Sequence, residues 1–302
     1  MGLSIYNIKK WYRMVKGTSI LHVNQGVGTN FVPGQICGYF NDLTQKVAKE
    51  PDLLKNGKLP TFHTEKRGDI DFPISIFQYG LGAYDLYLKT AENKYLVKFK
   101  QCVDWALEHQ LCDRAWDAFS FLYPDHPYSA MCQGEGASLL VRAYVQYKDQ
   151  KYITAAQKAL EFMLKPLSEG GTAKRDDEDL VLLEYTNLPA VLNGWIFAAF
   201  GLYDVSLVSA NPKYGKAFSK TIKTLENHMQ DFDNGYWSKY DAGKKIASPF
   251  YHDLHIAQMC ALYLATSEEI FKKYEEKWQS YQAKWWNRKR AFIKKAWQKI
   301  KE

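Results

Sequence analysis

Long apolar helical segments recur in this chain at intervals of 57, 59 and 60 residues. Each is followed by a more polar segment, as in ENKYLVKFKQCVDWAL and DQKYITAAQKALEFML. A helix that is apolar nearly all round must be enclosed by protein, whereas a helix with one apolar stripe lies at the surface. The pattern therefore predicts alternating inner and outer helices joined by loops. The repeat is marked by the tyrosines Tyr87, Tyr144, Tyr203 and Tyr263.

Stacked helical hairpins form either an open solenoid or a closed α/α toroid. Small residues near the starts of the inner helices let helices crowd around an axis, which favours the toroid. These small residues are Gly80, Gly82, Gly134, Gly136 and Gly194. We therefore predict an all-α fold, an α/α toroid of helical hairpins whose long loops share one rim. Aromatic alternation in DRAWDAFSFLYP and DNGYWSKYD predicts short β-hairpins on that active-site rim.

Differences in composition and patterning along the chain predict three parts. Residues 1–68 are irregular and Gly-rich, and we expect an N-terminal arm packed on the toroid. Residues 69–280 form the predicted catalytic toroid, and residues 281–302 a basic amphipathic C-terminal helix. The apolar stripe of this last helix comprises Trp286, Ile293, Trp297 and Ile300. The stripe fits a helix that lies on an anionic membrane, one that binds a polysaccharide-assembly partner, or one that packs on its own domain.

The distribution of charge limits the function classes. The net charge is +7, but eight basic residues and one acidic residue fall after residue 283, so the rest of the chain is nearly neutral. The sequence therefore does not indicate the extended positive surface of a nucleic-acid-binding protein.

Five scattered cysteines without a CxxC pair signal neither disulfides nor a zinc site. The start lacks a secretory signal pattern, and we expect a cytoplasmic protein, free or peripheral at the inner membrane face.

Three loops place polar residues at the predicted rim. They lie at or just before the starts of inner helices, where free N–H groups and the helix dipole attract anions. Lys244, Lys245 and Arg142 would add positive charge. The polar rim residues are Glu184, Tyr185, Tyr236, Tyr240, Asp241, Tyr251, His252 and His255.

Tyrosines beside a carboxylate and near cations can move protons to and from a weakly acidic carbon. The ordinary pKa of tyrosine, about 10, suits an acid, and nearby cations can lower it towards that of a base. The alternative is that these tyrosines pack or stack on sugars. For His252 and His255, hydrogen bonding or substrate contact is favoured over zinc binding. Asn193 is equally a helix N-cap or a substrate ligand.

Several segments resemble the C-terminal domain family of D-glucuronyl C5-epimerases: FPISIFQYGLGAYDLYL, YSAMCQGEGASLLVRAY, LEYTNLPAVLNGWIFAAFGLYD, and YDAGKK followed by YHDLHIAQ. The resemblance implies an α/α toroid fold and an epimerisation at C5 that needs no cofactor, and the residues themselves predict no metal site. The implied catalytic residues are Glu184, Tyr185, Tyr240 and Tyr251. The predicted substrate-binding residues are Gln133, Arg142, Asn193, Asp241, Lys244, His252 and His255, of which Asp241 matches the Tyr-Asp motif of the family.

This chain departs from the animal enzymes after the Tyr-Asp pair. An Arg follows that pair by two residues in those enzymes, whereas Gly243 stands here and Lys244 comes next. Lys244 or Arg142 would then neutralise the substrate carboxylate. The animal enzymes also carry β-rich domains before the helical one, so the resemblance suggests a short, bacterial form. A homodimer stays an open alternative.

The resulting prediction is C5-epimerisation of D-glucuronate to L-iduronate in a heparosan-like, uronic-acid-containing polysaccharide. A proton would leave one face of the sugar and another would return on the opposite face. One alternative is a uronate polysaccharide lyase, which shares the first proton abstraction. Another is a non-catalytic glycan-binding or assembly subunit.

Overall fold

The computed structural model describes residues 19, 22–176 and 178–301, apart from the side chains of residues 300 and 301. Its long helices form four consecutive hairpins, which confirms the predicted helical repeat and an all-α fold. The hairpins are α3 (Pro73–Thr90) with α4 (Asn93–Glu108), α5 (Ala130–Tyr147) with α6 (Gln150–Met163), α7 (Leu192–Val208) with α8 (Lys213–His228), and α9 (Pro249–Thr266) with α10 (Glu269–Ala283). The other α-helices of the described residues are α1 (Thr44–Ala48), α2 (Pro51–Asn56) and α11 (Trp285–Lys301).

Inner and outer helices differ in burial as the sequence pattern predicts. Every residue of α7 from Leu192 to Val205 is buried, whereas its partner α8 buries a single stripe that includes Ile222 and Leu225. The inner helices contact one another in chain order, from α3 through α5 and α7 to α9. Because these contacts describe a row, closure of the row into a toroid stays a prediction.

Glycine allows two inner helices to approach each other closely. A Cβ atom at Gly201 in α7 would lie 2.5 Å from the carbonyl oxygen of Gly134 in α5. A Cβ atom at Gly134 would lie 2.6 Å from the Cα of Ala198. Any larger residue would force the backbones apart, so these positions set the spacing of α5 and α7.

The strands lie in other places than the sequence predicts. Two antiparallel hairpins form, β1 (Thr61–Thr64) with β2 (Gly68–Asp71) and β3 (Ala173–Arg175) with β4 (Leu180–Leu182). The segment DRAWDAFSFLYP has no strand, because Asp113 and Asp117 accept hydrogen bonds from nearby backbone N–H groups and stabilise turns. The segment DNGYWSKYD forms isolated bridges, such as the one between Asp233 and Ser238. The hairpin prediction is therefore wrong for the first segment and only approximate for the second.

The N-terminal segment packs into the helical row. Phe40 stacks on Phe200 of α7 at 3.8 Å between ring centroids, and both are fully buried. The side chain of Asn30 donates to the carbonyl of Asp85 in α3, which joins the segment to the first hairpin. The first eighteen residues of the predicted arm, with residues 20 and 21, lie outside the described residues.

Helix α11 packs against the loop before α9. Its Ala291 is buried in a small apolar cluster with Trp237 and Ile246 of that loop. Among the helices that the structure describes, none is long and apolar enough to cross a membrane. Ile300, the last residue of the predicted stripe, falls where side chains are not described.

Candidate active site

Glu184 is held where β4 meets the start of two inner helices. Just before it, the backbone N–H of Leu183 donates to Thr172, and the carbonyl of Leu183 accepts from Ala130 at the start of α5. The Glu184 side chain is only 6% exposed and lies over Gly194 in the first turn of α7. A Cβ atom at Gly194 would lie 2.3 Å from Glu184 Oε2. Only glycine at this position leaves room for the carboxylate.

The environment of Glu184 suits proton transfer near neutral pH. Burial raises its pKa to about 7, and hydrogen bonding with the Tyr185 hydroxyl acts in the opposite direction. Its Oε2 has no hydrogen-bond partner among the described side chains and backbone. A carboxylate with this pKa populates both protonation states at pH 7, which is the condition for efficient general acid–base catalysis.

Three tyrosines surround this carboxylate. Burial, followed by the charge of Glu184, raises the pKa of Tyr185, Tyr240 and Tyr251. The rings of Tyr240 and Tyr251 meet edge to face, with centroids 4.8 Å apart. The structure therefore brings all four predicted catalytic residues together, and the three phenols are protonated when Glu184 is ionised.

The loop that carries Tyr240 is shaped by Asp241. One carboxylate oxygen of Asp241 accepts hydrogen bonds from the N–H groups of Gly243 and Lys245, at 3.0 and 3.1 Å. The carbonyl of Tyr240 accepts from the N–H of Leu192 at the start of α7. Asp241 thus closes a tight turn, and Lys244 is exposed at its tip. These bonds give Asp241 a positioning role in this structure.

His252 and His255 lie behind the tyrosine cluster and are fully buried. His252 Nδ1 accepts from the backbone N–H of Ser238, so its Nε2 carries the hydrogen that is donated to the carbonyl of Trp278. The Ser238 hydroxyl lies 2.9 Å from His255 Nδ1. Burial lowers the pKa of His252 to about 3 and holds that of His255 well below its usual value, so both rings are neutral. They tie the loop before Tyr240 to α9.

Tyr251 stands in the first turn of α9. The Ser248 hydroxyl caps this helix by accepting from the N–H of Tyr251. The phenol is half-buried, and its ring contacts that of His22 from the N-terminal segment, with centroids 6.0 Å apart. The positive end of the α9 dipole therefore lies beside a partly buried tyrosine.

Two of the predicted substrate-binding residues are not brought to this cluster. Arg142 is 1% exposed, and its guanidinium donates to Asp204, Ser138, Cys37 and Gly38. Three of these contacts are buried and the one to Cys37 is partly buried, and together they occupy four of the five guanidinium N–H groups. Assigning Arg142 to a substrate carboxylate therefore does not agree with its surroundings.

The side chain of Gln133 is likewise occupied by the backbone of Trp116, to which it donates and from which it accepts. Asn193 is nearly buried in the first turn of α7, one residue from Gly194. The N-cap of α7 is Val191, so the N-cap interpretation of Asn193 is wrong. Its Oδ1 has no partner among the described groups, and Asn193 stays a candidate ligand.

Several residues of this site could not be predicted from the sequence. Phe119 stacks on Tyr185 with ring centroids 4.4 Å apart, and Tyr123 contacts the same ring edge to face at 5.9 Å. Both come from the aromatic loop that was predicted to be a hairpin. Glu135 is fully buried deeper between the inner helices, accepts from Gln78, and has a pKa raised by burial to about 8. In the sequence, the one indication of this buried group is the acidic residue within the apolar segment GEGASLL.

Within the described part of the chain, no group of three or more His, Cys, Asp or Glu side chains is arranged to hold a metal ion. The fold and the site thus define an all-α protein with a glutamate and three tyrosines clustered at the ends of its inner helices. Residues 118–280 match the family described as D-glucuronyl C5-epimerase C-terminus. The match covers more than half of the chain, and the chain belongs to this family.

Two curated relatives extend the comparison. The D-glucuronyl C5-epimerase of Caenorhabditis elegans is 26% identical over 212 residues, which cover 61% of this chain and 34% of that protein. An uncharacterised protein of Methanocaldococcus jannaschii is 31% identical over 155 residues, which cover 49% of this chain and 50% of that protein. The matched part of this chain therefore spans between a third and a half of these relatives.

Among solved structures, a family 76 glycoside hydrolase from a bovine Bacteroides thetaiotaomicron strain shows a limited likeness. The TM-score is 0.46 at 14% identity, and the alignment covers 74% of this chain and 53% of that one. A likeness of this size has no bearing on function.

Proposed function

We propose that this protein epimerises D-glucuronate to L-iduronate at C5 within a polysaccharide, without a cofactor. The observation that carries the proposal is a buried carboxylate, Glu184, whose pKa is raised to about 7 and which faces tyrosines that keep their protons. Membership of the D-glucuronyl C5-epimerase family supports the same chemistry. Glu184 would act as the base and Tyr251 as the acid.

The proposed step exchanges one proton for another at C5. The C5–H bond breaks, its proton moves to Glu184, and its electron pair delocalises into the substrate carboxylate as an enediolate. The O–H bond of Tyr251 then breaks, and its proton forms a new C5–H bond on the opposite face. Afterwards a proton passes from Glu184 through solvent to the Tyr251 phenolate, which restores both groups.

The electrostatic coupling between these groups favours this order. While Glu184 is charged, it raises the pKa of Tyr251 and keeps the phenol protonated. When Glu184 accepts the C5 proton, its charge is lost and the phenol becomes a stronger acid. Abstraction on one face therefore promotes protonation from the other. Hydrogen bonding from Tyr240 lowers the pKa of Tyr251 and assists the same step.

The substrate carboxylate would be bound by Lys244, with the positive ends of the α7 and α9 helix dipoles adding to the attraction. Lys244 is the exposed cation on the turn next to Tyr240. The unpartnered Oδ1 of Asn193 would accept a hydrogen bond from a sugar hydroxyl. Tyr185, supported by Phe119 and Tyr123, would lie against the sugar face, as aromatic rings do in carbohydrate sites.

The test is incubation with glucuronate polymers in D₂O, with deuterium at C5 and the iduronate signal followed by NMR. Deuterium uptake with iduronate formation would support the proposal. An unsaturated product that absorbs in the near ultraviolet would instead identify a lyase. Binding of the polymers without any uptake would identify a glycan-binding subunit and overturn the assignment of catalysis.

Tyr251→Phe separates the two faces of the reaction. The variant keeps Glu184, so we expect deuterium uptake at C5 of glucuronate to continue while iduronate formation falls about 10²-fold or more. NMR of the same samples reads both quantities. Tyr236→Phe, outside the cluster, is the control and should leave both unchanged. Loss of uptake and of iduronate together would contradict the assignment of Tyr251 to the second face.

The rate of deuterium uptake should depend on pH through Glu184. Because a base must be ionised, kcat/KM should rise about tenfold per pH unit below the pKa of about 7 and level off above it. The tyrosines stay protonated across this range because burial and the Glu184 charge raise their pKa values. Initial rates between pH 5 and pH 9 test this, and a rate that falls through pH 7 would assign Glu184 as the acid.

A further inference from the structure

One side of α11 is fixed to the body of the protein. Ala291 is fully buried, and Lys295 is nearly so and donates to the carbonyl of Ile246 at 2.8 Å. Gln298 accepts from the N–H of Ile246 and donates to the carbonyl of Lys244. The helix therefore has a defined orientation, and it lies directly on the loop that carries Tyr240.

The other side of α11 exposes large apolar side chains. Trp285 is 54% exposed, Trp286 58% and Ile293 67%. Together with the ring of Tyr236 in the neighbouring loop, these residues border an open groove. A folded protein does not normally expose so many large apolar side chains to solvent on one helix face. The face therefore has the character of an interaction site.

The charge of the helix indicates the partner. α11 has seven Lys and Arg residues and no acidic residue, and the lysines Lys289 and Lys294 are exposed beside the apolar groups. The ammonium group of Lys289 lies over the ring of Trp285, 4.5 Å from the ring centroid. The guanidinium of Arg290 lies over the ring of Tyr236, 3.9 Å from the ring centroid. Tryptophan next to lysine on one helix face is the pattern of helices that lie in the interface of an anionic membrane.

We propose that the Trp285–Trp286–Ile293 face of α11, with Lys289 and Lys294, binds the surface of an anionic phospholipid membrane. An exposed isoleucine favours lipid over polysaccharide, because a branched aliphatic side chain gains from acyl chains and offers no flat surface to a sugar. The lysines attract the negatively charged headgroups. Since α11 rests on the Tyr240 loop, membrane binding places the catalytic cluster close to the membrane surface.

The experiment is co-sedimentation of the full chain with vesicles of phosphatidylcholine alone or with 30% phosphatidylglycerol, at about 0.05 and 0.5 M salt. We expect binding to the anionic vesicles that weakens at high salt, with a blue shift of tryptophan fluorescence. Trp286→Ser with Ile293→Ser should weaken binding about tenfold or more through the lost apolar contact. Lys289→Ser with Lys294→Ser should weaken it to a similar degree and reduce the salt dependence.

The matched control is Val97→Ser with Leu264→Ser, two exposed apolar residues on α4 and α9 that should leave vesicle binding unchanged. Equal binding to neutral and anionic vesicles, or no binding to either, would overturn the proposal. A soluble glucuronate polymer whose binding is lost in the α11 variants, without any vesicle binding, would assign the face to polysaccharide instead. Because the readout is binding, it does not depend on whether epimerisation occurs.

Discussion

Glu184→Gln is expected to lower deuterium uptake at C5 by about 10²- to 10⁴-fold, the usual contribution of a general base. The amide has the size of the carboxylate, so it still fits above Gly194, but it cannot accept the C5 proton. NMR of a glucuronate polymer in D₂O measures the effect. A rate within about threefold of the wild type would show that Glu184 is not the base.

The same variant should be more stable than the wild type at pH 8. In the folded protein the pKa of Glu184 is raised from its ordinary 4.5 to about 7. Ionisation of this carboxyl group is therefore less favourable in the folded state than in the unfolded chain. The folded state binds the extra proton between these values, so this contribution lowers stability as pH rises from about 4.5 to 7. At about 1.4 kcal/mol per pKa unit, the gain from glutamine is ~3 kcal/mol at pH 8 and vanishes below pH 4.

Urea unfolding at pH 8 and pH 4 measures this difference, and it serves as the folding control for the activity assay. Glu178→Gln, an exposed position in the loop before β4, should change neither stability nor uptake. A loss of activity accompanied by a loss of stability would mean that glutamine disturbs the fold. The kinetic result would then carry no information about the base.

The helical hairpins could be predicted from the sequence because their signal is local. A helix buried on all sides, such as α7, needs apolar residues at nearly every position, and a surface helix needs a single stripe. The strands β3 and β4 could not be predicted in this way. They are three residues long, and β4 is held by Thr221 and Thr224 of α8, which exchange hydrogen bonds with Leu180. Such contacts depend on the tertiary structure.

The candidate site shows the same division. Glu184, Tyr185, Tyr240 and Tyr251 stand next to inner-helix starts, and the stacking of hairpins brings such positions to one end of the fold. The role of His255 depends on Ser238, seventeen residues away, and sequence spacing does not reveal that pairing. The contact of Phe119 with Tyr185 spans a longer separation still. Residues that hold others in place were therefore harder to identify than the residues they hold.

Arg142→Met is expected to lower the free energy of unfolding by about 3–5 kcal/mol, the usual cost of breaking a buried ion pair. The guanidinium lies 2.6 Å from Asp204, and both side chains are at most 2% exposed. It also donates to the carbonyls of Cys37 and Gly38, so it attaches the N-terminal segment to α5. Methionine fills the space but leaves a buried carboxylate and two carbonyls without donors. Urea unfolding measures the loss.

Two further variants separate the structural role of Arg142 from the binding role that its sequence context suggested. Arg142→Met with Asp204→Leu should regain part of the stability, because no buried charge is left unpaired. Arg114→Met breaks an exposed ion pair with Glu161 and should cost at most about 1 kcal/mol. A substrate-binding arginine would instead give a raised KM with unchanged stability. That outcome would restore Arg142 to the site and require the N-terminal segment to move away from it during catalysis.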